Sequence, residues 1–67
     1  MTITLAHQPE IGVTIDVEAA TIDEAGTGGV KVILRKPGSE VMILLNQDEA
    51  LALGERLQWC RRSAAAF

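Results

Sequence analysis

"VKVILRKPGSEVMILLNQDEA", residues 30–50, changes pattern twice and sets the architecture of the chain. Val30, Val32 and Leu34 alternate with Lys31, Ile33 and Arg35, the period-two signature of a half-buried strand. "KPGS" (36–39) follows. Pro37 presets φ for the second position of a turn, and Gly38 accepts the positive φ that a type II turn requires at the third. "EVMILL" (40–45) is a second strand with apolar residues on both faces, so 30–35 and 40–45 should form an antiparallel hairpin. At Asn46 the period becomes helical. Asn46 can cap a helix, and Glu49, three positions on, can reach back to complete a capping box.

Downstream, "QDEALALGERLQWCRR" reads as a helix over 47–62 that frays through "SAAAF". Asp48 and Glu49 suit the positive end of its dipole, and Arg61 and Arg62 the negative end. Ala50, Leu53, Leu57, Cys60 and Ala64 make an apolar stripe at three- and four-residue spacing. Gly54 lies beside the stripe. A mid-helix glycine costs about 1 kcal/mol relative to alanine, so it points to a close backbone approach.

Upstream, "VTIDVEA" (13–19) alternates, with Val13, Ile15 and Val17 on one side and Thr14, Asp16 and Glu18 on the other. The alternation fails at 19–22, which predicts a bulge or a strand end. "DEAGTGG" (23–29) reads as a hairpin connection; no Lys-Ser/Thr follows it, as a phosphate-cradling loop would need. "TITL" (2–5) alternates over a short span and is separated from the next strand by the break at Pro9 and Gly12. The expected fold class is α+β: a three- to four-stranded antiparallel β-meander followed by one C-terminal α-helix packed on one sheet face (β-β-β-β-α). Residues 1–67 form a single small domain. The helix stripe should meet Val13, Ile15, Val17, Val30, Val32, Leu34 and one face of "VMILL".

A chain of 67 residues buries only about 60% of the surface its unfolded form exposes, so its stability is marginal without help. One cysteine allows no internal disulfide, and Cys60 with His7 cannot make a structural zinc site. Self-association remains, and a homodimer is the first expectation. A composition 48% hydrophobic and 22% charged is globular rather than disordered. The net charge of −3 argues against nucleic-acid binding through a broad basic footprint. "MTITLAHQPE" lacks signal-peptide features, and no apolar run is long enough to span a bilayer. A cytoplasmic protein with no membrane partner is expected.

One helix covers one face of a sheet, so the other face should be polar in a monomer. Thr14, Asp16, Glu18, Lys31 and Arg35 fit, with opposite charges available for cross-strand pairing. Ile33 does not fit, and "VMILL" must add either Met42 and Leu44 or Val41, Ile43 and Leu45 to that face. On the helix, Trp59 lies opposite the apolar stripe, among Asp48, Glu55 and Arg62. It either folds back over its own chain, the first strand or the tail at Phe67, or anchors an interface, where tryptophan is enriched. The candidate interface residues are Trp59, Ile33, Met42, Leu44, Arg62 and Glu55.

Catalytic signals are weak. A His7–Cys60 dyad would need the first strand to reach the helix end, and Cys60 on the stripe reads as a small core hydrophobe. Asp23/Glu24 and Asp48/Glu49 read as solvated or capping acids. No metal-ligand spacing or cofactor motif is present, so no catalytic, cofactor-binding or metal residue is assigned.

The segment "VKVILRKPGSEVMILLNQDEA", about a third of the chain, resembles the hairpin-to-helix segment of the carbon-storage-regulator family. That resemblance implies a strand-exchanged dimer that binds RNA. The family's basic first strand and its arginine before the helix have no counterpart in "MTITLAH" and "LNQDE". The leading expectation is a non-catalytic homodimeric protein-interaction module: a regulator, inhibitor or accessory subunit of the kind that phages and mobile elements encode. An RNA-binding post-transcriptional regulator is the alternative, and a small enzyme subunit the third.

Overall fold

Pro37 and Gly38 form the expected tight turn, with Gly38 at φ 79° and Lys36 opposite Ser39 across the hairpin. Around this turn the computed structural model, which describes residues 1–5 and 12–66, builds one open antiparallel sheet in the order β1-β2-β3-β4. The strands are β1 (Thr2–Thr4), β2 (Thr14–Thr21), β3 (Gly28–Lys36) and β4 (Ser39–Asn46), followed by helix α1 (Gln47–Ala64). His7, Pro9 and Phe67 lie outside the described residues.

Of the bulge or strand end expected at 19–22, the strand end forms, at Thr21, and there is no bulge. β2 keeps unbroken register with β3 through Ala20↔Gly29 and Thr21↔Gly28. Two glycines stand opposite the two small residues there, so the ladder closes without an extra residue. The β2–β3 connection is a hairpin loop as expected. Ile22 N–H donates to the Thr27 carbonyl (2.9 Å), and Thr27 N–H donates to Asp23 Oδ1 (3.0 Å). β1 joins the outer edge of β2, its terminal ammonium donating to the Val17 carbonyl (2.8 Å).

Direct cross-strand partners point to the same side of a sheet. The register therefore resolves the two faces. Ile3, Ile15, Val17, Val30, Val32, Leu34, Val41, Ile43 and Leu45 share one, the front. Thr2, Asp16, Glu18, Lys31, Ile33, Arg35, Glu40, Met42 and Leu44 share the back. Of the two options for "VMILL", Met42 and Leu44 take the polar face.

Helix α1 begins at the expected residue and packs against β3 and β4. Its capping box is complete: Glu49 N–H donates to Asn46 Oδ1 (2.7 Å) and Asn46 N–H to Glu49 Oε1 (2.9 Å). Leu45 and Ala50 occupy the staple positions that fix a chain's entry into a helix, and both are half-buried. The packing is confined to this end. Gln47 reaches over Gly28, where a Cβ would lie 3.6 Å from its Nε2. Beyond Ala50 every described residue of the helix is exposed.

The expected burial of the helix stripe is therefore corrected: Leu53, Leu57 and Cys60 stay open to solvent. A helix that leaves the sheet after its first turn cannot bring later turns onto it. A Cβ added at Gly54 would likewise meet nothing within 4 Å, so this glycine marks no close approach within the chain. Ile33 is also corrected. Expected on an exposed interface, it is 4% exposed and is the one buried hydrophobic residue among those described. It sits mid-strand in β3 between Asp16 and Met42, flanked by the ion pairs of Lys31 with Glu18 and Arg35 with Asp16.

The molecule is flat, 43 × 32 × 15 Å, with a radius of gyration of 13.9 Å. A compact domain of this length would have a radius of about 11 Å. The excess comes from a single-layer sheet with a helix standing off one corner.

Candidate protein-interaction surfaces

The remaining five candidate interface residues divide between α1 and the back of β4. On α1, Trp59 is 60% exposed. Neighbours at helical spacing surround it: Glu55 one turn before and Arg62 one turn after, with Leu51 two turns before. These residues line a shallow groove along the helix, and Ala52 and Arg56 border the other side of the indole. Ser63 Oγ donates to the Trp59 carbonyl (3.2 Å), and Arg61 Nη2 donates to Gln58 Oε1 (3.3 Å). Trp59 is exposed for the same reason as Leu53, Leu57 and Cys60: beyond Ala50 no side of the helix is covered by the sheet. Leu51, also exposed, extends the apolar part of this surface and lies outside the expected set of interface residues.

On the back of the sheet, Met42 and Leu44 are both exposed at the β4 edge. Their surroundings are ionic. Lys31 Nζ stands 2.9 Å from Glu18 Oε1, Arg35 pairs with Asp16, and Arg35 Nε lies 3.7 Å from Glu40 Oε2. Thr2 Oγ1 also donates to Asp16. The expected cross-strand charge pairing is thus present, and it neutralises Lys31 and Arg35. The structure does not join Met42 and Leu44 to Trp59: the first two belong to the sheet back and the third to the free length of the helix.

A third surface is, apart from Ile3, one expected to be core. On the front, Ile3, Leu34, Val41 and Ile43 are exposed, and Ile15, Val17, Val30, Val32 and Leu45 are half-buried. Leu5, Val13, Leu34 and Val41 line a groove along it. The sequence signal for this surface is the period-two alternation of the strands. Alternation assigns these residues to an interior only if the helix covers them, and the helix does not.

Polar chemistry on the molecule is mostly structural. Asp16, Glu18 and Glu40 hold ion pairs and Glu49 caps the helix. Asp23 accepts from the Thr27 amide, and that hydrogen bond, with one from the Thr27 hydroxyl, lowers its pKa from the ordinary 3.8. Among the described residues no cluster of three or more His, Cys, Asp or Glu could hold a metal ion. No buried side-chain nitrogen or oxygen among them lacks a partner. No described helix is long and apolar enough to cross a membrane. The chain matches no protein-family model, and comparison with curated proteins and with solved structures gives no match.

Proposed function

We propose that this protein is a small, non-catalytic, homodimeric interaction module of the cytoplasm, which acts by docking α1 onto another protein as a regulator, inhibitor or accessory subunit. The observation that carries this reading is Trp59, 60% exposed on a helix that is open to solvent throughout beyond Ala50. A solvated indole is costly, and aromatic side chains on a preformed helix are the usual anchors of helix-in-groove recognition. Glu55 and Arg62 would form the polar rim, and Leu51 would extend the apolar contact.

Parallel affinity capture with wild-type protein and Trp59→Ala tests this. A protein retained by the wild type and lost with Trp59→Ala, while the circular dichroism spectrum is unchanged, supports the reading. Equal retention by both contradicts it. RNA binding is less well supported, because Lys31 and Arg35 already face Glu18, Asp16 and Glu40.

A further inference from the structure

We infer that the front face of the sheet is the self-interface: two copies stack front to front, leaving the Met42/Leu44 back and the Trp59 side of α1 free. The inference rests on the homodimeric part of the proposed function and assigns its surface. Three observations carry it. The first is area. The chain exposes 5454 Å², whereas a compact monomer of 7.2 kDa exposes about 4,100 Å². That excess is shared between the projecting helix and the uncovered sheet, and the sheet's share is the surface a second copy would bury.

The second observation is composition. From Ile3 across to Leu45 the described front carries no ionisable side chain until Lys36 at the hairpin turn. Such a surface resembles half of a domain core, as obligate homodimer interfaces do, rather than the mixed surface of a transient partner site. The back, by contrast, has ion pairs at Lys31 and Arg35 that stacking would desolvate. The third is shape. A single sheet layer lacks its second layer, and an identical sheet about 10 Å away would supply one through a two-fold axis.

Adjacent residues of β4 provide the test. Val41 on the front and Met42 on the back are 51% and 54% exposed in one edge strand. Sedimentation of the wild type should give a dimer. Val41→Asp should raise its dissociation constant by about 100-fold or more, since it would bury an unpaired carboxylate, and Met42→Asp should change it by less than about threefold. Thiol labelling covers the case in which Val41→Asp fails to fold. In a Cys60→Ser background, Ile43→Cys should react slowly with maleimide at dimer-forming concentrations and Met42→Cys rapidly. A dimeric wild type with a reactive Cys at 43, or with Met42→Asp as the disruptive change, overturns the front-face assignment and leaves the homodimer standing. Pairing of β4 edges would produce the first of these patterns. A monomeric wild type at all concentrations overturns both.

Discussion

A Cβ at position 29 would run into the Leu45 carbonyl oxygen and stand 2.6 Å from Ile22 Cγ2. Gly29 is therefore fixed by steric contact and not by its backbone angles. Gly29→Ala should destabilise the fold by about 1–3 kcal/mol, the usual range for overpacking, as read from the urea midpoint. An unchanged midpoint would show that the β3 start has room to shift. Asp23 gives a residue-scale prediction in pH. Its folded pKa lies below the ordinary 3.8 because the ionised form accepts from Thr27. Its contribution to stability is therefore complete above the unfolded value and is lost as pH falls through the folded value. The Asp23 carboxyl resonance should titrate with a midpoint below 3.8; a midpoint at or above that value would mean the loop bond is absent in solution. Trp59 should be quenched by acrylamide almost as readily as free indole, in the dimer as well, because the front-face interface leaves it outside.

At the scale of elements, the helix depends on its own ends. Most helical stability in proteins comes from tertiary packing rather than propensity, and α1 has such support only around Ala50. Asn46→Ala removes one half of the capping box and should cost about 1 kcal/mol, appearing as lost helical ellipticity before the sheet melts. A wild-type ellipticity would show that association, rather than the cap, holds the helix. The local elements are legible in the sequence because their signals are local. Pro37-Gly38 and Asn46-Glu49 each fix a backbone state within a few residues. The direction of α1 is not legible. Whether Leu53 and Leu57 return to the sheet depends on the angle at Leu45–Ala50, and periodicity carries no information about that angle. The same gap explains Cys60, expected in the core and found exposed. Ile33 differs for the opposite reason: alternation places it on the polar face, but its central position, not its parity, buries it.

At the scale of the whole molecule, a flat sheet with one apolar face and a projecting helix forms a layer and an arm. The layer is the part that a second copy completes, and the arm is the part left for a partner. This division predicts no salt-dependent gel shift with single-stranded RNA, since Lys31 and Arg35 are paired and the net charge is −3. A shift that weakens with salt would favour the RNA-binding alternative instead. Front-to-front stacking is tested by an isotope-filtered NOE experiment on a mixture of labelled and unlabelled protein. Stacked fronts should give contacts between protomers among the methyl groups of Ile3, Leu34, Val41 and Ile43. Filtered contacts confined to Met42 and Leu44, or none at concentrations where the protein sediments as a dimer, would contradict it.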